Sequence, residues 1–214
     1  MPAAPVVFVV DDDPAVRKSL TRLIAAAGYA VDAFASARDF LARERPTGPC
    51  CLVLDVRMPG LTGLDLQEAL AAAGRRMSIV FITGHGDVSM SVRAMKRGAV
   101  DFLSKPFDVE DLLEAIQRCV TKDVRDLGEE TRVTEIQARV KTLTSRETEV
   151  FALVVTGMLN KQIASELGIS EKTVKVHRAQ VMAKLRAGSV AELVRLADRV
   201  GVIVPKSRSQ APAS

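Results

Sequence analysis

No window of this 214-residue sequence approaches the unbroken apolar run of a membrane span, and the start, Met1 to Pro5, lacks the basic flank of a signal peptide. A cytoplasmic protein with no membrane partner is expected. Cysteine is scarce: Cys50, Cys51 and Cys119 include an adjacent pair that could hardly bridge itself, and no CxxC occurs. That argues against a disulfide framework and a zinc site and leaves small core residues kept reduced. With 48% hydrophobic and 26% charged residues the composition is that of a soluble globular protein, long enough for one large domain or two small ones.

Net charge is absent from the first part only. Residues 1–122 hold 15 Lys and Arg against 15 Asp and Glu, whereas residues 123–214 hold 15 against 11, so the whole net charge of +4 lies in the second part. A neutral front and a basic back point to two domains with different partners.

Within the front part, apolar runs alternate with helical patterns. Val6 to Val10, Tyr29 to Phe34, Cys51 to Leu54, Ser78 to Ile82 and Val100 to Leu103 read as strands. Helices are read from Pro14, capped by Asp13, to Ala27, and then over Leu64 to Ala73, Val88 to Arg97 and Val109 to Val120. Five strands, each followed by a helix, make a doubly wound α/β domain with a parallel sheet, whose binding crevice lies outside the carboxyl ends of the strands. Those ends carry Asp11-Asp12-Asp13, Asp55, Thr83 and Ser104-Lys105-Pro106. In a strand order 2-1-3-4-5 they all converge. Packed carboxylates repel one another and call for a cation, and an all-oxygen set favours Mg²⁺. Adding a hydroxyl and an ammonium gives equipment for stabilising a phosphoryl group in transfer. Read singly, each has a plainer use: Asp13 before Pro14 is an N-cap, Lys105 a surface lysine, and His85 between two glycines a loop residue.

Val9-Val10-Asp11-Asp12-Asp13, Leu54-Asp55-Val56-Arg57-Met58-Pro59, Ile82-Thr83-Gly84-His85-Gly86 and Lys105-Pro106-Phe107 resemble the four signatures of a response-regulator receiver domain, in order and with the right element between each. The resemblance spans residues 5–122. It implies that Asp55 accepts phosphate from a histidine kinase, and that Asp11, Asp12, Asp55 and the backbone carbonyl of Arg57 hold Mg²⁺. It also implies that Lys105 pairs with the phosphoryl oxygens, Thr83 turns inward to bond one of them, and Phe102 follows as the switch aromatic.

Residues 123–141 are polar around Gly128-Glu129-Glu130, with Val133, Ile136 and Val140 forming a thin apolar stripe. A linker helix is expected there, either solvated or dimerising. Beyond it four helices are read: one capped by Ser145, then Asn160 to Leu167, Glu171 to Leu185, and one opened by Ser189. A short helix, a turn at Gly168 and a longer helix are a helix-turn-helix arrangement. Residues 170–186 carry five cations against one anion, with Lys172, Lys175, Val176 and Ala179 on one face, a face suited to phosphates and the major groove. Ordinary solvation would also account for a charged face.

Leu143-Thr144-Ser145-Arg146-Glu147, Asn160-Lys161-Gln162-Ile163-Ala164 and Thr173-Val174-Lys175-Val176-His177-Arg178 resemble a LuxR-type output domain over residues 142–205, leaving 206–214 as a disordered tail. The two resemblances together are similar to a FixJ/NarL-type regulator. They imply DNA contacts from Lys161, Lys172, Thr173, Lys175, Val176 and Arg178, with double-stranded promoter DNA and RNA polymerase as partners. They also imply a homodimer formed on phosphorylation through the fourth helix and fifth strand, where Arg93, Lys96, Arg97 and Asp101 could pair. The expected function is a phosphorylation-activated transcriptional regulator rather than an enzyme. Two rivals stand beside it: a regulator that uses its receiver only to dimerise, and a Mg²⁺-dependent aspartyl-phosphate phosphatase, which would want a carboxylate where Arg57 stands.

Overall fold

Five of the apolar runs become one all-parallel sheet: β1 (Val6–Val10), β2 (Ala30–Phe34), β3 (Cys50–Asp55), β4 (Ile79–Thr83) and β5 (Asp101–Ser104), in the order β2-β1-β3-β4-β5. The computed structural model describes residues 4–44, 46, 48–84 and 88–201, and the chain divides into two compact units, Met1–Gly128 and Glu129–Ser214. Unbroken apolar runs, rather than alternating ones, follow from burial on both faces of the sheet. Alternate residues serve opposite layers. Phe8, Val10, Leu52, Leu54 and Phe81 join one core, while Val7, Val9, Cys51, Val53, Val80 and Ile82 join the other. Each such side chain stabilises the unit by roughly 1.5–3 kcal/mol.

Register brings the strand ends level. Val10 stands opposite Leu54, Asp55 opposite Ile82, and Thr83 opposite Ser104, so the residues that follow each strand emerge along one edge. The helices are α1 (Pro14–Ala26), α2 (Ala37–Leu41), α3 (Gly63–Ala72), α4 (Val88–Lys96) and α5 (Val109–Val140). Asp13 caps α1 by accepting from the amides of Ala15 and Val16, as expected. At five residues α2 is too short to show a helical period, although Ser36 as its cap and Asp39 three residues on are a local start signal.

Where a helix ending at Val120 and a separate linker helix were expected, α5 runs unbroken to Val140. Gly128 does not stop it. A single interior glycine costs a helix only about 1 kcal/mol, and the ion pairs Lys122–Asp126 and Arg139–Glu135, four residues apart, support the turns around it. The carboxylate of Asp123, buried, accepts a bond of 2.9 Å from the amide of Cys50 and ties α5 to the start of β3.

The second unit holds α6 (Ser145–Val155), α7 (Asn160–Leu167), α8 (Glu171–Leu185) and α9 (Val190–Val200) around Val150, Phe151, Val154, Ile163, Val174, Val181, Leu185 and Leu193. The cap of α6 is Thr144, not Ser145. Thr144 places a glutamate at the third helical position, so the side chains of Thr144 and Glu147 each accept the other's amide in a capping box. Glu147 is buried and also accepts from the Lys184 ammonium at 2.6 Å. That bond, and then the Thr144 amide, hold its carboxyl below the usual glutamate range. Gly168, at φ 64°, lets the chain turn from α7 into α8. The run Val202 to Val204, the tail 206–214 and the residues His85, Gly86 and Asp87 lie outside the described residues.

Two outcomes follow. A Cβ added at Gly63 would overlap the backbone carbonyl oxygen of Asp55 and stand 3.1 Å from the Leu54 Cγ. Gly63→Ala is therefore expected to destabilise the first unit by about 1–3 kcal/mol. Urea unfolding followed by the fluorescence of Tyr29, the only tyrosine in a chain without tryptophan, would show a lower midpoint. In the second unit, the lowered pKa of Glu147 supplies stability that is fully present above the ordinary glutamate value of 4.5 and is lost as pH falls through the folded value. Glu147→Gln should flatten this acid loss in thermal unfolding followed by circular dichroism, and an unchanged pH dependence would show that the pair contributes nothing.

Candidate functional site

At the carboxyl edge of the first sheet, one ammonium is shared between two buried carboxylates. Lys105 Nζ donates to Asp11 Oδ2 at 2.7 Å and to Asp55 Oδ1 at 3.0 Å, while Asp11 and Asp55 are only 1% and 5% exposed. The second oxygen of Asp55 accepts the Arg57 amide at 2.7 Å, and that of Asp11 accepts the Asp13 amide at 2.9 Å. Lys105 is itself placed by the backbone, its amide donating to the Thr83 carbonyl at 2.7 Å. Thr83 is fully buried beside them at the end of β4. Asp12 projects into solvent with no side-chain bond to another described residue, and the Arg57 side chain is exposed, so Arg57 meets the site through its backbone.

Burial is the largest influence on Asp55 and raises its pKa. The bond and charge of Lys105 oppose this, the charge of Asp11 adds to it, and the Arg57 amide opposes it again. For Lys105, burial works against the charged form, but its bonds to Asp11 and Asp55 outweigh that and hold its pKa above the ordinary lysine value. The resulting site keeps a charged donor against a nucleophilic oxygen with little water between them.

Among the described residues no three carboxylate, imidazole or thiolate groups form a ready cage. The donor set nevertheless suits Mg²⁺, which takes one or two carboxylates and keeps most of its waters. Asp11 and Asp55 meet at Lys105, exposed Asp12 follows Asp11 directly in the chain, and all these side-chain donors are oxygens.

Two residues that the sequence reading passed over shape this edge. Arg17, on the first turns of α1, donates from Nη1 to the Asp11 carbonyl at 2.7 Å, and Gly63 presses the start of α3 against the Asp55 backbone. An arginine four residues after an N-cap carries no sequence signal of such a bond. A glycine opening a helix after Thr62 does hint at close approach. Phe102 lies away from the carboxylates, half-buried, its ring 6.2 Å from that of Phe81. On the proposed pairing face Arg93 and Lys96 are exposed, whereas Arg97 is bonded to Glu68 and Asp101 to Arg118 within the unit. Val88, Val92 and Met95 stand exposed along the same helix, Val88 at 80%.

In the second unit the predicted groups separate into two sets. Lys161, Lys172 and Lys175 are exposed, and Val176 is 51% exposed. Lys175 is opposed only loosely by Glu171, at 3.8 Å. Thr173 spends its hydroxyl on the capping Ser170, at 2.8 Å. Arg178 turns the other way and donates to Asn160 Oδ1 at 2.8 Å, while Lys184 reaches Glu147. Asn160 was not singled out from the sequence, where it serves merely as a helix start.

The family of response regulator receiver domains matches residues 7–117, and the luxR family of bacterial regulatory proteins matches residues 141–197. Nodulation protein W of Bradyrhizobium diazoefficiens is 49% identical over 197 residues, covering 92% of this chain and 87% of that protein. The transcriptional regulatory protein FixJ of Azorhizobium caulinodans is 45% identical over 202 residues, 94% of this chain and 96% of that one. Among solved structures, the response regulator StyR superposes with a TM-score of 0.78 at 47% identity, over 92% of this chain and all of that one. No described helix is long and apolar enough to cross a membrane. With this sheet, this acidic edge and a helix-turn-helix unit later in the sequence, the chain belongs to the response regulators that join a receiver to a LuxR-type DNA-binding domain, and it is a phosphorylation-dependent transcriptional regulator.

Proposed function

We propose that Asp55 is the residue on which the phosphate arrives. The observation that carries this is the shared ammonium: Lys105 touches both Asp55 and Asp11, so a cation already stands where the charge of a phosphoryl group would develop. An Asp55 oxygen attacks the phosphorus of a phosphohistidine on the kinase, the phosphorus–nitrogen bond breaks, the histidine leaves with the electron pair, and an acyl phosphate remains. Asp11, Asp12, Asp55 and the Arg57 carbonyl would hold Mg²⁺, which when bound neutralises charge on the phosphoryl oxygens. Lys105 is within reach of the same oxygens, and its second partner, Asp11, keeps it oriented while Asp55 is modified. Thr83, buried next to it, supplies a hydroxyl to the product, and Phe102 against Phe81 carries the change to the α4 and β5 face.

That face is suited to a second copy of the chain. Val88, Val92 and Met95 are spaced four and three apart, so they form one exposed apolar stripe, with Arg93 and Lys96 on its flanks. Arg97 and Asp101 already have partners in their own unit, so the stripe rather than those charges carries the association. In the second unit Lys172, Thr173, Lys175 and Val176 present the first turns of α8 to the major groove, and Lys161 meets phosphate from α7.

Asp55→Asn is expected to abolish acyl-phosphate formation from acetyl phosphate and Mg²⁺, read by phosphate-affinity electrophoresis; undiminished labelling would place the acceptor elsewhere. Lys175→Ala should weaken binding to a selected operator by about tenfold to a hundredfold, as expected for a lost base contact worth about 1–3 kcal/mol. An equal loss on mixed-sequence DNA would mean that Lys175 touches phosphate only.

A further inference from the structure

Arg178 lies in the signature helix of the second unit, and its charge suggests a phosphate contact. Its position on the helix suggests otherwise. At about 100° per residue, Val174, Val181 and Leu185 centre on one line of α8, and all three are buried. Lys172, Lys175, Val176 and Ala179 are exposed and centre on a line roughly 150° away. Arg178 falls only about 40° from the buried line, four residues after Val174 and three before Val181, and roughly 110° from the exposed one. Its guanidinium ends on Asn160 Oδ1 at 2.8 Å, in a half-buried position. Asn160 is the first residue of α7, and the turn through Gly168 joins α7 to α8. The bond therefore ties the start of the first helix of the pair to the middle of the second, 18 residues apart in sequence.

We infer that Arg178 is a positioning residue, whose bond to Asn160 sets the angle at which α8 is presented to DNA, and that it does not itself neutralise phosphate. This inference rests on the reading of α8 as the DNA-entering helix. The α7–α8 angle fixes where Lys172, Lys175 and Val176 stand relative to Lys161, so a loosened angle misplaces base-facing and phosphate-facing groups together. Among the described residues the planar guanidinium is held by one neutral acceptor, Asn160, which makes lysine a poor substitute: it retains the charge but not the reach and the planar geometry.

The two roles differ in salt dependence. A group that neutralises a phosphate contributes about 0.9 to the slope of log affinity against log salt, whereas a positioning residue contributes nothing to it. The full chain, treated with acetyl phosphate and Mg²⁺, is titrated with a mixed-sequence DNA duplex over a range of salt, and its preferred sequence is recovered by selection from a random pool. Arg178→Gln and Asn160→Ala should both leave the slope unchanged, while Lys175→Gln or Lys172→Gln lowers it by about 0.9 for each protomer engaged. On the selected sequence, Arg178→Gln, Arg178→Lys and Asn160→Ala should each lose about tenfold, and the Arg178→Gln, Asn160→Ala double variant should lose no more than the worse single one, as for groups that act through one bond.

A slope reduced by Arg178→Gln and restored by Arg178→Lys, with Asn160→Ala silent, would overturn the inference and make Arg178 a phosphate contact. Additive losses in the double variant would overturn it as well. If Arg178→Gln fails to fold, Asn160→Ala and Arg178→Lys carry the same test, since neither removes a buried charge. A wild-type chain that enriches no sequence at all would instead sink the reading of α8, an outcome separate from any of these.

Discussion

Two carboxylates and one ammonium confined to the edge of a buried sheet are the constraint around which the first unit is arranged. Asp55 is pushed towards its neutral form by burial, and the neighbouring charge of Asp11 adds to this. Lys105 resolves this only if three strands end level and the chain after β5 turns back across them. The parallel register supplies the first condition. The bond from the Lys105 amide to the Thr83 carbonyl supplies the second. Much that looks like ordinary folding detail serves the same point: Asp13 capping α1, Arg17 holding the Asp11 carbonyl, and Gly63 letting α3 close in on β3.

The second unit handles its charges by direction rather than by number. α8 and its end carry five cations. Two of them face inward, Lys184 onto Glu147 and Arg178 onto Asn160, where they hold helices together. The outward face is smaller and more selective, Lys172 and Lys175 with exposed Val176 beside them, while the remaining cation, Arg186, stands exposed at the far end of the helix. Basic composition thus overstates the charge available to DNA.

How much of this could be read beforehand depended on the range of the interaction. The strands, their order and the residues at their ends were legible because burial on both faces writes continuous apolar runs, and because a doubly wound sheet puts its chemistry at one edge. Short-range capping was mostly legible too, with Asp13 right and Ser145 one residue late, since only the paired glutamate distinguishes Thr144 as the cap. A five-residue helix left no period to detect, and the polar stretch after Val120 suggested a break that the chain does not make. Contacts between side chains distant in sequence, such as Arg178 with Asn160, or Arg97 and Asp101 with partners in their own unit, are set by packing and have no signature along the chain. The acidic cluster was the favourable exception, because its members sit at positions that topology alone brings together.

The adjacent pair Cys50 and Cys51, unable to bridge, has a different use. Successive residues of a strand point to opposite faces, so Cys50 lies in one core layer and Cys51, with Cys119, in the other. All three are fully buried, and burial pushes the Cys51 thiol well above its ordinary range, leaving it inert towards electrophiles while the sheet stays closed. The sheet thus has a native reporter on each side. The order in which these thiols become alkylated would tell which layer of helices lifts first, without adding any foreign label to the protein.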